Sequence, residues 1–332
     1  MVKNKLFNKM GTDDPQYQTI VGGNPTGIAN LNNNVFTWAN SLYRVMTGNF
    51  WIPEKVPLTD DKLTISLLTE DEDSAVKDTL SFLIFLDSFQ CLNLPNVAQY
   101  ITAPAVANLI GIQLYEEIIH SQSYQYILES LYPAITRDEI YNRWRTEPVL
   151  LERIEQITRI GEEFLAEPYI DNYKKVLSAN LILESIYFYQ GFMFFDQLAS
   201  RNKLIQTDKI IDYIRRNEIT HIGIFIPIIQ ELFNEVDYFD LEVMIRDAVD
   251  NEIKWANHVY GDKILGISCK SSEQYVKFLA NDRWQRLGRK QPLYPEVKKN
   301  PYAHLEQETK ENFFESTTTS YDRSESIQGW DF

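Results

Sequence analysis

The sequence predicts an all-α fold, a bundle of long helices, and three observations carry that expectation. Apolar residues recur at helical spacing through long segments, no strand-like alternation of any length appears, and glycine is scarce, 13 in 332 residues. A repeated short motif also lies inside those segments, Glu-x-x-His, at Glu117–His120 and Glu218–His221. Residues three, four and seven apart share a helix face, so Glu117, His120 and Tyr124 in L-Y-E-E-I-I-H-S-Q-S-Y point one way.

Composition excludes several classes of function. A length of 332 residues suits one large domain or two medium ones, and 44% hydrophobic content with 13% aromatics supplies a substantial core. A net charge of −15 with no basic cluster argues against a nucleic-acid-binding surface. Cys91 and Cys269 give neither a disulfide framework nor a CxxC knuckle, so a reducing, cytoplasmic setting fits. The N-terminus, M-V-K-N-K-L-F-N-K-M, lacks the apolar core of a signal peptide. No apolar run reaches the roughly 18 residues that a membrane span needs.

Taken in order, residues 1–34 carry Gly, Pro, Asn and Thr in loose clusters and read as an arm over the domain surface. Val35–Met46 reads as a helix. N-F-W-I-P-E-K-V follows, where Trp51 beside Pro53 has the ordinary reading of a packing residue. Asp73–Gln90 is the next helix, with Asp87 set among Leu83, Ile84, Phe85 and Leu86. A buried acid there needs a cation, a proton or a metal, with a buried Arg or a helix-end contact as the plain alternatives. The stretch L-N-L-P-N reads as a loop. A helix from Pro104 to about Glu129 then presents Glu117, His120 and Tyr124.

T-R-D-E opens a further helix to about Thr146, and Val149–Leu165 follows with Glu and Arg on a solvated face. Tyr169–Leu198 reads as one long aromatic helix in which Glu184 is the single charge between Lys175 and Asp196, so it too needs an internal partner. Phe188, Phe192 and Phe195 form a stripe whose plain reading is core. Thr207–Leu232 carries Glu218 and His221, and Asp237–Tyr260 and Glu273–Leu287 complete a helical domain over 35–290. Residues 291–332 shift to Pro, Ser, Thr and scattered charge and read as a flexible tail. Its aromatic end, Trp330-Asp331-Phe332, has the makings of a docking peptide for another protein.

With four histidines in the chain, a single Glu-x-x-His pair is weak, and the plain reading is two surface helices with Glu and His side by side in solvent. Two pairs, together with Asp87 and Glu184 from two more helices, make the donor pattern of di-iron and di-manganese carboxylate bundles.

The order Asp87, Glu117-x-x-His120, Glu184, Glu218-x-x-His221, with Tyr124 and the aromatic tail, resembles the small, radical-generating subunit of class I ribonucleotide reductase. The resemblance runs from about Asn34 to Phe332. It implies a ferritin-like bundle, two metal ions (Fe and/or Mn) held by those six side chains, a homodimer, and a large catalytic subunit as partner. It also implies reduction of ribonucleoside diphosphates to deoxyribonucleotides, driven by an oxidising equivalent held on Tyr124 or on the metals. By the same resemblance, Phe188, Phe192 and Ile214 line the radical pocket, and Trp51 and Tyr321 lie on the radical-transfer route. Arg216 is the Arg two before the second motif's Glu, and Trp330, Asp331 and Phe332 contact the large subunit. One departure stands out: many members have Asp where this chain has Asn217, and an amide cannot take a proton as a carboxylate does. Too few residues precede the bundle for the family's optional ATP-binding cone. The competing reading is a ferritin-like di-metal oxidase or oxygenase with its own small-molecule substrate, which needs no transfer tail. A storage or purely structural bundle is a third.

Overall fold

The structure is a computed structural model and describes residues 1–305, so Tyr321, Trp330, Asp331 and Phe332 lie outside the described residues. Among these the secondary structure is helical, with no strand and one isolated bridge between Val21 and Ile101. The α-helices in chain order are α1 Thr37–Gly48, α2 Asp61–Thr64, α3 Glu70–Ala98, α4 Pro104–Leu131, α5 Ala134–Tyr141 and α6 Pro148–Ala166. They continue with α7 Ile170–Ile182, α8 Tyr189–Ala199, α9 Ile205–Leu232, α10 Glu235–Val259 and α11 Cys269–Arg286.

Four helical rods form the heart of the molecule: α3, α4, the α7–α8 rod and α9. α3 packs along α4, α9 packs on α4, α7 and α8, and α1 lies across α4 and α9. The starts of α3 and α9 are set by explicit chemistry. At α3, the Thr69 hydroxyl accepts from the Glu72 amide at 3.2 Å, and the Glu72 carboxylate accepts from the Thr69 amide at 2.9 Å. At α9, Leu204 is buried at a φ of 52°, and the Asp61 carboxylate from α2 accepts from the Gln206 and Thr207 amides. Residues 1–34 are pinned over the α3–α4 turn, where Asn4 N donates to Gln99 O and Thr102 N to Ile20 O, and at the α6–α7 turn, where the Met1 ammonium donates to Pro168 O at 2.6 Å.

Four expectations need correction. L-N-L-P-N is no loop: α3 runs through Pro95 to Ala98, because Leu94 and Val97 are buried and Asn93 is held by Gln90 and Asn180. That burial offsets the hydrogen bond missing at Pro95, which lies in the last turn. The segment 169–198 is not one helix, since a π-helical turn, Leu183–Tyr187, separates α7 from α8. The helix after Pro133 ends at Tyr141, and a 3₁₀ turn, Arg143–Arg145, follows. On α6 the charges do not all face water: Arg153 is buried in an ion pair with Glu252, its guanidinium 4.3 Å from the Phe82 ring centre.

Candidate metal centre

Asp87 comes from α3, Glu117 and His120 from α4, Glu184 from the π turn, and Glu218 and His221 from α9. All six are fully buried, at 0% exposure, so the reading of Glu-x-x-His as solvated surface pairs fails. They make two overlapping groups: Asp87, Glu117, His120 and Glu218, then Glu117, Glu184, Glu218 and His221. Within each group the donor atoms lie within 4.8 Å of one another, and Glu117 and Glu218 belong to both, as bridging carboxylates do. His120 Nδ1 lies 3.0 Å from Asp87 Oδ1 and 3.2 Å from Glu218 Oε1. His221 Nδ1 lies 2.9 Å from Glu218 Oε2 and 3.3 Å from Glu184 Oε2. The π turn places Glu184 here, an extra residue's worth of rotation at a functional position.

Electrostatics argue for a cation. Burial pushes the Asp87 carboxyl well above its usual range, and the charges of Glu117 and Glu218 add to the effect. Burial and the same kind of crowding, from Glu218 and Glu117, do so at Glu184. Glu218 is held low instead: burial is the largest single influence and opposes ionisation, but the charge of His221 and the hydrogen bonds from Glu184, His120 and His221 together outweigh it. For both histidines burial disfavours the charged ring, yet the surrounding carboxylates reverse the sign and raise them. Asp87 Oδ2, Glu117 Oε2 and Glu218 Oε1 are buried oxygens that accept no hydrogen bond. Four carboxylates around two imidazole nitrogens fit two divalent ions with hard-to-borderline preference, such as Fe(II) or Mn(II).

Sequence reading missed Gln90, Gln113 and Glu116. Gln113 Nε2 donates to Glu184 Oε1 at 2.7 Å and to Glu117 Oε1 at 3.3 Å, and Gln90 Nε2 donates to the same Glu184 oxygen. The spacing could have shown two of them, since Gln113 is one turn before Glu117 and Gln90 three residues after Asp87. Glu116 accepts from His221 Nε2 at 2.9 Å and from Asn217 Nδ2 at 2.7 Å.

The remaining candidates fall around this centre. Tyr124 is fully buried, and burial, then the charges of Asp87, Glu218 and Glu117, keep its phenol protonated. Trp51 is half-buried, its ring centre 6.4 Å from that of His120, and its indole N–H donates to Asn217 Oδ1 at 2.8 Å. Phe188, Phe192 and Ile214 are fully buried, with the two phenylalanine rings stacked at 5.7 Å. Arg216 Nη2 donates to Asn49 O at 2.7 Å, and the guanidinium lies 5.2 Å from the Tyr213 ring centre.

A helical bundle with two overlapping carboxylate–imidazole groups defines a di-metal carboxylate protein. Known proteins narrow this further. Residues 28–301 match the family model "Ribonucleotide reductase, small chain". The ribonucleoside-diphosphate reductase subunit beta of Treponema pallidum is 38% identical over 97% of this chain and 95% of its own. Its counterpart in Halalkalibacterium halodurans is 35% identical over 94% of each. The structure of the ribonucleotide reductase R2 subunit from Clostridium botulinum superposes with a TM-score of 0.90 at 42% identity, covering 92% of this chain and 98% of that one. A 23% identical structure, the dimanganese(II)-NrdF of Streptococcus sanguinis, shares the fold at a TM-score of 0.71, covering 82% of this chain and 97% of that one. The chain belongs to the ribonucleotide reductase small-chain family. Its fold is ferritin-like, its activity is that of an oxidoreductase subunit working with a large subunit, and a stand-alone oxidase or oxygenase is not favoured. No helix among the described residues is long and apolar enough to cross a membrane.

Proposed function

We propose that Asp87, Glu117, His120, Glu184, Glu218 and His221 hold two Fe or Mn ions, and that Tyr124 is the residue they oxidise. The observation that carries this reading is the pair of overlapping, fully buried donor groups on four helical rods. Bound there, such ions supply the redox capacity to activate oxygen and to take one electron from a neighbouring phenol. Tyr124 then gives up an electron and its hydroxyl proton, and Asp87, the carboxylate whose charge acts on the phenol most strongly, is suited to receive that proton. Phe188, Phe192 and Ile214 enclose the radical and keep water and reductants away. Trp51, joined to Asn217 and stacked near His120, starts the route outward, with Arg216 beside it and Tyr321 at the handover. Trp330, Asp331 and Phe332 dock on the large subunit, and the protein works as a homodimer in a reducing cytoplasm.

The test is to load the protein separately with Fe(II) and with Mn(II) in air and record EPR spectra. A narrow tyrosyl signal that disappears in Tyr124→Phe supports the reading. The same signal in both proteins places the radical elsewhere, and no metal uptake overturns the site. Deleting 330–332 should leave metal content unchanged and abolish complex formation with the large subunit in sedimentation. An intact complex would refute the docking assignment.

A further inference from the structure

Each imidazole of the metal centre has a second nitrogen, and one hydrogen-bonded bridge joins both of them. Asn217 Oδ1 lies 2.8 Å from Trp51 Nε1 and 3.3 Å from His120 Nε2. Asn217 Nδ2 lies 2.7 Å from Glu116 Oε1, and Glu116 Oε2 lies 2.9 Å from His221 Nε2. The direction of every bond follows from donor and acceptor chemistry. An indole N–H can only donate, so the Asn217 atom facing it is the amide oxygen, and the amide nitrogen therefore faces Glu116. A carboxylate accepts at both oxygens, so His221 Nε2 carries a proton, and His120 Nε2 carries one to reach the amide oxygen. Both rings thus keep Nδ1 for the four-carboxylate chamber.

We infer that Glu116 is a positioning residue of the di-metal site: with Asn217 it fixes the tautomer and tilt of both ligand imidazoles and ties them to Trp51. The inference rests on the di-metal reading above. Metal-ligating histidines commonly use their outer nitrogen in this way, and losing the outer partner typically costs about 10–100-fold in metal affinity. Here one carboxylate serves both rings, His221 directly and His120 through the Asn217 amide. The fixed polarity of that amide makes the two side chains interdependent. Arg216 lies close enough to interact with the Glu116 charge. A cleft of about 270 Å³, lined by Trp51, Tyr115, Glu116 and Asn217 among others, opens onto the bridge from outside.

The polarity supplies a charge-swap test. In Glu116→Gln, an amide that still accepts from His221 turns its own N–H toward Asn217 Nδ2, donor against donor. In Asn217→Asp, a carboxylate meets the Glu116 carboxylate, acceptor against acceptor. In the double variant, the amide introduced at position 116 accepts from His221 and donates to the carboxylate introduced at position 217. That carboxylate in turn accepts from Trp51 and His120, and the bridge is complete again with its charge moved. Mn(II) binding to the metal-free protein, followed by EPR of the unbound ion, reads this directly, with metal-free thermal melts as a control for folding. We expect wild type to bind two equivalents, each single variant to lose about 10–100-fold in affinity, and the double variant to return to within about 3-fold of wild type. Single variants that bind like wild type, or a double variant as weak as the two losses combined, overturn the inference. If a single variant does not fold, the double variant decides alone: near-native Mn(II) binding supports the bridge, and its loss refutes it. Should wild type bind no Mn(II), the di-metal reading itself falls.

Discussion

At the scale of single residues, Tyr124 carries the sharpest expectation. Its phenol is fully buried and kept protonated by burial and by nearby carboxylates, so the ring has no task in holding the chamber's charge. Tyr124→Phe should therefore keep metal stoichiometry and lose no more than about 1–2 kcal/mol of stability, since one buried hydroxyl is removed and the ring stays. Loss of a full metal equivalent would show instead that the phenol orders the ligands. The six candidate ligands were legible because acids at Asp87 and Glu184 sat in apolar helical text, and because Glu-x-x-His spacing faces one way. Glu116 was not. Adjacent helical residues point about 100° apart, so in E-E-I-I-H one Glu reads as inward and its neighbour as outward. That logic fails on α4, which is packed by α3 along one side and by α1 and α9 along others, leaving two faces buried. Arg153 was misread for a related reason, because a charge on an amphipathic helix is assigned to water unless its distant partner, here Glu252, is known.

At the scale of elements, periodicity located most of the rods but not their breaks. Nothing in the composition of L-E-S-I-Y marks a π turn; it is set by how Glu184 must reach the chamber while α7 and α8 both stay packed on α9. Helix starts were easier, because capping chemistry is local. Glu72 combines the α3 capping box with ion pairs to Arg201 at 2.5 Å and Lys203 at 2.6 Å, linking the start of α3 to the turn before α9. Burial opposes its ionisation, but the bonds from Lys203, the Thr69 amide and Arg201 prevail and lower its pKa from 4.5. A carboxyl lowered by folding stabilises the native state above its unfolded pKa, and the contribution fades as pH falls below about 4.5. Glu72→Gln keeps the cap acceptor and loses the charge, so we expect a cost of about 1–2 kcal/mol near neutral pH in urea unfolding. The difference from wild type should be smaller in acid than at neutral pH, fading as pH falls below 4.5 and the carboxyl becomes protonated first in the unfolded and then in the folded state. An equal cost at both pH values would assign the effect to packing rather than to charge.

At the scale of the whole molecule, the chamber couples four rods that elsewhere meet through apolar packing and a few hydrogen bonds such as Asn93 to Asn180. Holding it together without a cation is costly, and the cost has a definite sign in pH. Burial and mutual repulsion raise Asp87 and Glu184, so the metal-free native state binds more protons than the unfolded chain above the ordinary carboxylate range. His120 and His221, raised by their carboxylate neighbours against the pull of burial, add protons in the same direction. Every one of these shifts makes the metal-free protein lose stability as pH rises, because protons that neutralise the chamber are stripped away. On the proposed di-metal reading, divalent ions would take the place of those protons, so their binding should release protons and strengthen with pH. Stabilisation by a ligand at 100 times its Kd is about 2.7 kcal/mol, and each kcal/mol moves Tm by about 2–4 °C or less in a chain of this size. A chelator should therefore lower Tm by several degrees near pH 8 and by clearly less near pH 5.5, where protons already occupy the donor oxygens and nitrogens. Calorimetric melts of the same preparation at both pH values, with and without chelator, give the comparison. A chelator effect that is equal at the two pH values, or larger in acid, would mean that the chamber is not neutralised by metal and protons in competition.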